Sequence, residues 1–394
     1  MPLPRYGRRP VHSFAAEHAM RSARPHEGSS RPVAPLDSVL FTVTAALIGI
    51  GLVMVFSASS ATAYAQHGDI AYYAKRQLVW LVVGLAAAYG VYRFDYHRLK
   101  RWAPYILLAA TAALFLVFVP HIGVGVNGGR RWIGAGAFSV EPSEFAKLAL
   151  IVYLAAVLSA RPERITSLSR GVVPLFVPVA LMAVLVLREP DMGTASLLLF
   201  IAFTLLFAAG ARLMHLAAVA LSIIPVAALT VLASPYRRAR VFAFLDPWRD
   251  PLNTGFHIVQ SLFALGSGGL FGVGLGASRE KFFYLPEQYT DFIFSILGEE
   301  LGLIGTLAVV ALFVTLAYRA IRIALRAPDR FGFFLAIGCA AMITIQAFVN
   351  IGVVSSSWPV TGVPLPFISF GGSSLIVNLV AIALIANVGR HRAH

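Results

Sequence analysis

An acidic residue, Asp291, stands where the polar, proline-broken stretch Tyr284-Leu285-Pro286-Glu287-Gln288-Tyr289-Thr290 runs into a long apolar segment opening Phe292-Ile293-Phe294. A carboxylate at the edge of a bilayer is costly to keep, so its default reading is functional. Ionised at a membrane–water mouth, it suits a general base that takes a proton from an incoming hydroxyl. Thr290 is a candidate N-cap, and Pro286 keeps a helix from starting earlier. That places Asp291 in the first helical turn, where the helix dipole favours its charge. Ordinary capping of a helix end by an acid is the competing reading.

Other charged residues gather around the same chemistry. Glu299 lies eight residues further along, about 12 Å deeper and roughly 80° round the axis, and Glu300 points nearly opposite Asp291. Both should face the bundle interior, either lining a wet cavity or holding helices together through ion pairs. In Pro142-Ser143-Glu144-Phe145-Ala146-Lys147, Glu144 and Lys147 are three apart and share a helix face. Lys147 is then available to Glu144, to Asp291 or to a substrate phosphate. Asn127-Gly128-Gly129-Arg130-Arg131-Trp132-Ile133 adds two guanidinium groups and an indole. Arginine grips phosphate oxygens in a bidentate way, and tryptophan prefers the headgroup level. Arg130 and Arg131 therefore read as phosphate ligands or as headgroup anchors. Arg240, Arg279 and Lys281 follow in a longer connection and read either as part of an outer-face anion site or as charges without a role, since long loops tolerate them.

These groups must be positioned by membrane helices. Of 394 residues, 58% are hydrophobic and 13% charged, more apolar surface than a soluble chain of this size can hide. Apolar runs near the roughly 20 residues needed to cross a hydrocarbon core recur along the chain, continuous rather than alternating, which excludes a barrel. The pattern predicts an all-α polytopic membrane protein with ten transmembrane helices. They fall near 38–58, 77–93, 103–120, 144–160, 172–188, 192–209, 213–234, 291–318, 331–354 and 371–389. Residues 1–36, rich in Arg, Pro, Ser and His, read as a disordered basic cytoplasmic tail; 37–394 form the membrane domain.

With the tail inside, the inner connections carry Arg93, Arg98, Lys100 and Arg101, then Arg161, Arg164 and Arg170, then Arg212, then Arg319, Arg322, Arg326 and Arg330, then Arg390 and Arg392. The last outer connection, 355–370, has no Lys or Arg. Both termini are therefore expected in the cytoplasm. The net charge of +14 follows from this flanking pattern and not from nucleic-acid binding, for which no stacking and basic module is present. The long extracytoplasmic loop between helices 7 and 8, 235–290, should be structured. Phe256 to Leu265 is apolar at helical spacing but too short to span, and the glycine-rich run Gly266 to Gly276 follows it. A re-entrant or surface-lying helix ended by a glycine turn fits both. The glycine run lacks the strand and helix of a nucleotide loop. The single Cys339 excludes a disulfide frame, and no metal-ligand spacing stands out.

Residue chemistry alone leaves an enzyme acting on a lipid-linked phosphate, or a flippase whose buried charges mark a path. The motifs in order carry more. Asn127-Gly128-Gly129-Arg130-Arg131-Trp132, Pro142-Ser143-Glu144 with Lys147, Asp246-Pro247-Trp248-Arg249-Asp250-Pro251, Gln260-Ser261, Gly274-Leu275-Gly276, Leu285-Pro286-Glu287 with Thr290-Asp291-Phe292-Ile293-Phe294, Gly298-Glu299-Glu300, and Pro366 with Ile368-Ser369-Phe370-Gly371-Gly372-Ser373-Ser374 together resemble the SEDS family (shape, elongation, division and sporulation) over about residues 38–390. Asp246-Pro247-Trp248, Gly274-Leu275-Gly276-Ala277-Ser278 and Ser57-Ala58-Ser59 are closer to its division branch, FtsW. Pro359 to Pro366 is closer to its elongation branch, RodA. Tyr289 stands where many relatives have His.

The resemblance implies a peptidoglycan glycosyltransferase that polymerises lipid II into glycan strands. It maps the family's essential acid onto Asp291 and its buried ion pair onto Glu144 and Lys147. Lys147 with Arg130, Arg131, Arg240, Arg279 and Lys281 would balance a pyrophosphate leaving group, and Glu299 would line the same cavity. A divalent cation could assist. The implied partners are the growing strand, a single-span class B penicillin-binding transpeptidase and other division proteins, at the septum of a bacterial cytoplasmic membrane. A lipid II flippase, an elongation-type polymerase and a scaffold role remain the alternatives.

Overall fold

The computed structural model describes residues 37–391 apart from 127, 128, 136, 137 and 283. The expected tail, Asn127, Gly128 and Arg392 lie outside the described residues. Each expected span is a helix: α1 (Ser38–His67), α2 (Tyr72–Arg93), α3 (Tyr96–Leu116), α4 (Pro142–Ala160), α5 (Val173–Arg188), α6 (Met192–Ala208), α7 (Leu213–Leu232), α10 (Ile293–Leu325), α11 (Arg330–Val354) and α12 (Gly372–Arg390). Two shorter helices, α8 (Pro235–Leu245) and α9 (Phe256–Ser267), occupy the long connection. Among the described residues, eight helices are long and apolar enough to cross a membrane; α6, at 17 residues, is shorter but apolar. The chain is a polytopic helical membrane protein.

Local chemistry sets the ends. Asp37 caps α1 through Leu40 N at 3.1 Å and pairs with Arg319 on α10. Asp191 caps α6 through Thr194 N at 2.9 Å. The core is built where α2 packs along α12, α3 along α4, α4 along α11, and α10 between α1 and α11. By contrast α7 is almost wholly exposed, as a helix facing lipid tails should be. Helix α1 runs nine residues past the expected span, to His67.

One element lies outside the helical expectation. Between α3 and α4, strands β1 (Gly123–Val126), β2 (Gly129–Ala135) and β3 (Phe138–Val140) form an antiparallel sheet in the order β1-β2-β3. It carries Arg130 and Arg131.

Helix α9 ends in the predicted glycine turn, and the glycines have a backbone purpose. Helix α10 breaks at Gly302 (φ 68°, ψ −166°). A Cβ at Gly302 would sit 2.3 Å from Gly272 N, and one at Gly268 would sit 2.0 Å from Gly298 O. The turn thus lies directly on the break. Val273 N and Gly274 N donate to the carbonyls of Glu299 and Glu300, while Leu303 N and Ile304 N donate to those of Gly269 and Leu270. Irregular backbone within a membrane domain survives only when its polar groups are paired this way.

Candidate functional site

Asp291 lies just before α10 and not in its first turn, as expected from Thr290 as N-cap. Thr290 Oγ1 turns back instead to Glu287 Oε2 at 2.9 Å. Glu287 adopts φ 53°, and its carbonyl accepts from both Thr290 N and Phe292 N, closing a turn ahead of the helix. That turn is pinned from three sides. Asn350 Nδ2, on α11, donates to Asp291 O at 2.7 Å and to Val363 O at 2.8 Å. Ser369 Oγ donates to Thr290 O at 2.6 Å. Phe370 N donates to Tyr289 O at 2.9 Å. The Asp291 side chain itself is half-buried. Among the described residues its carboxylate oxygens receive no hydrogen bond. Gly362 (φ 75°) walls it: a Cβ there would lie 3.3 Å from Asp291 Oδ2.

Desolvation pushes the Asp291 carboxyl up to about 7; the Glu287 carboxylate adds to this, and the guanidinium groups of Arg131 and Arg240 oppose it. Arg131 is fixed by Glu189 O at 2.9 Å and Pro190 O at 2.7 Å, and Arg240 by Val360 O at 3.3 Å. Beside them is an acidic group that sequence reasoning missed. Glu189 is fully buried, and among the described residues neither carboxyl oxygen has a hydrogen-bond partner. Desolvation, with Asp191 and Glu141, raises it to about 9. Glu141 is raised to about 8 by desolvation, then by Glu144 and Asp191. Arg188-Glu189-Pro190-Asp191, three charges around a proline at a span's end, was the available signal.

Glu144 and Lys147 pair as expected. Lys147 Nζ is 2.8 Å from Glu144 Oε1 and 2.7 Å from Gln346 Oε1, with both charged side chains buried. Gln346 Nε2 continues to Pro364 O at 2.9 Å and Ser374 Oγ at 3.2 Å. Lys147 is thus placed behind the site, supporting the 355–371 connection through Gln346 and not open to a ligand.

The structure sends Lys281 and Glu299 elsewhere as well. Lys281 is buried, its Nζ 3.2 Å from Glu300 Oε1 and 3.3 Å from Ser57 Oγ. Ser57 Oγ donates to Glu300 Oε1 at 2.6 Å. Glu299 accepts from Ser278 Oγ at 2.5 Å and Arg279 N at 2.8 Å. These groups clasp the 276–288 segment onto α1 and α10. The side chains of Arg130 and Arg279 are exposed. Among the described residues no set of three or more His, Cys, Asp or Glu side chains is arranged to hold a metal ion. Asp291, Arg131 and Arg240 are therefore the expected residues that the fold brings together, with Glu287, Glu189, Asp191 and Glu141 beside them.

The chain and its fold are similar to those of known proteins. A family model described as a cell cycle protein (FtsW, RodA, SpoVE) matches residues 37–394. Stage V sporulation protein E of Bacillus subtilis is 46% identical over 357 residues, 90% of this chain and 97% of that one. A probable peptidoglycan glycosyltransferase FtsW of Trichlorobacter lovleyi is 44% identical over 356 residues, 90% and 93% of the two chains. Among solved structures, a chain from work on the structural coordination of polymerization and crosslinking by a peptidoglycan synthase complex is 31% identical, with a TM-score of 0.75 over 91% of this chain and 99% of its own. Thermus thermophilus rod shape determining protein RodA is 30% identical, with a TM-score of 0.67 over 91% and 98%. The chain belongs to the FtsW, RodA and SpoVE family.

Proposed function

We propose that the chain is a peptidoglycan glycosyltransferase that polymerises lipid II on the outer face of the bacterial cytoplasmic membrane, for septal wall synthesis. The observation that carries this is the Asp291 carboxylate: half-buried, its main chain pinned from three sides, its oxygens unengaged by the described protein groups. Near 7, its proton affinity suits a base working at neutral pH. The names of FtsW relatives and of a synthase-complex neighbour support the same reading.

Asp291 takes the proton from the 4-hydroxyl of the acceptor GlcNAc. That oxygen forms a bond to the anomeric carbon of the donor strand's MurNAc. The bond from that carbon to the pyrophosphate oxygen breaks, and undecaprenyl pyrophosphate leaves with the electron pair. Arg240 and the exposed Arg130 and Arg279 offer positive charge to the pyrophosphate. Arg131 lowers the cost of ionising Asp291. The Asp291 end faces outward in this reading, both termini lie in the cytoplasm, and a single-span class B transpeptidase is the partner that crosslinks the product. The buried charges that would mark a flipping path are closed in pairs, Lys147 with Glu144 and Lys281 with Glu300, which favours the polymerase. Purified protein in detergent with lipid II decides: strand synthesis needs no second compartment, and flipping does. Absence of strands both alone and with the transpeptidase partner would overturn the reading.

A further inference from the structure

Tyr289, two residues from Asp291, belongs to an aromatic group that the proposed chemistry leaves unused. Its ring lies 4.5 Å from that of Tyr73, which in turn meets Phe370 edge-on at 5.2 Å. Tyr72 meets Tyr73 edge-on at 5.3 Å and stacks on His67 at 3.7 Å. The guanidinium of Arg76 lies 5.8 Å from the ring centres of both Tyr72 and Phe370. Tyr73 is buried beneath the group, whereas Tyr72, Arg76, Tyr289 and Phe370 are partly exposed. The group adjoins the site through main chain, since Phe370 N donates to Tyr289 O.

We propose that Tyr72, Tyr289 and Phe370, with Arg76 between two of the rings, form a saccharide platform that holds the glycan strand as it leaves the Asp291 turn. The proposal rests on the polymerase reading and names a subsite of it. A pyranose ring presents a face of C–H groups that packs on the negative face of an aromatic ring. Such contact tolerates sliding, because every sugar in a strand offers the same kind of face. Carboxylates on the stem peptides of the strand match the charge of Arg76. Interfacial tyrosines also serve as headgroup anchors. An anchoring role acts on insertion and stability and is blind to product length, which separates the two.

Mean strand length is measured with purified protein and lipid II for wild type, Tyr72→Ala, Tyr72→Trp, Arg76→Gln and, as a control on the exposed face of α3, Tyr105→Ala. Thermal unfolding is followed in parallel. The platform predicts about threefold shorter strands for Tyr72→Ala, the scale of one aromatic contact, with shortening for Arg76→Gln, recovery in Tyr72→Trp and wild-type length in Tyr105→Ala. Should Tyr72→Ala not fold, Tyr72→Leu, which keeps apolar bulk without a ring, is read the same way. Wild-type length in both the Tyr72 and Arg76 variants overturns the proposal. Calorimetric titration of the folded protein with a lipid-free peptidoglycan tetrasaccharide, without and with Tyr72→Ala, decides the platform even if no strands are made. At least threefold weaker binding to the variant upholds it, and equal binding refutes it.

Discussion

Asn350 holds Asp291 by its main chain and not by its carboxylate. One side-chain amide, buried in α11, donates to Asp291 O at 2.7 Å and Val363 O at 2.8 Å, tying two connections together. The arrangement fixes the base while leaving its reactive oxygens available. Replacing Asn350 with Leu strands the buried carbonyl of Val363, at about 1–3 kcal/mol, and frees the part-buried one of Asp291. It also lets the base drift, and a displacement near 1 Å costs about a hundredfold in rate. We expect Asn350→Leu to insert, to unfold at lower temperature in detergent, and to polymerise lipid II about 10- to 100-fold more slowly. Wild-type turnover would show that the anchor is irrelevant to catalysis.

The pH dependence of activity and of stability should run in opposite directions. A base must be ionised, so kcat/KM rises with pH through about 7, where burial sets the Asp291 carboxyl. Folding raises this group from 3.8 to about 7. Between those values the native state binds more protons than the unfolded one, so its stabilising effect is full below about 3.8 and is lost as pH rises through 7. Glu141 and Glu189, at about 8 and 9, prolong the decline. Thermal unfolding of Asp291→Asn beside wild type isolates the first part: the variant should gain relative stability from pH 4 to 7 and none above. A constant difference across that range would contradict the burial argument.

Arg131 does two jobs that one variant separates from Asp291. It binds the carbonyls of Glu189 and Pro190, in a turn where Pro190 has φ 30°, and its charge lowers the Asp291 pKa. In Arg131→Gln the ascending limb of the pH–rate profile should move to higher pH, with some loss of thermal stability. An unmoved limb would mean that Arg131 is only a brace. Arg131→Lys should hold the limb near its wild-type position yet lose stability, because an ammonium lacks the fork that meets two carbonyls.

Arg279 and Lys281 are two residues apart and should fail differently. Arg279 is exposed, and Lys281 is buried against Glu300 and Ser57. Arg279→Gln should raise KM for lipid II, more so at low salt, without lowering the unfolding temperature. Lys281→Met leaves Glu300 buried and unpaired, a loss of about 3–5 kcal/mol, read as a large drop in unfolding temperature. The reverse pattern would place Lys281 on the substrate and Arg279 in the scaffold.

The helical bundle was legible because apolar length is a strong signal; the spacing of three put Glu144 and Lys147 on one helix face but left Lys147 open to Asp291 or a phosphate, and the family resemblance singled out the pair. Asp291 was legible as a charge at a helix mouth, but its turn was not. Whether Thr290 caps the helix or bonds to Glu287 depends on Asn350 and Ser369 reaching in from α11 and the 355–371 connection. Glu299 looked like a site residue since charge in a membrane span reads as functional, and Lys281 since positive charge in an outer loop suits an anion; their burial against Glu300, Ser57 and Ser278 comes from contacts between segments far apart in sequence. Glu189 passed unnoticed because charges at a span's end are ordinary until the fold buries this one beside Arg131.

The central claim is that the Asp291 carboxylate removes the acceptor proton. Glycan strand synthesis from lipid II by purified wild type and Asp291→Asn, matched in amount and unfolding profile, tests it most directly. The account predicts a fall of about 10²- to 10⁴-fold in the initial rate for the variant. Strand synthesis at the wild-type rate by folded Asp291→Asn would contradict it.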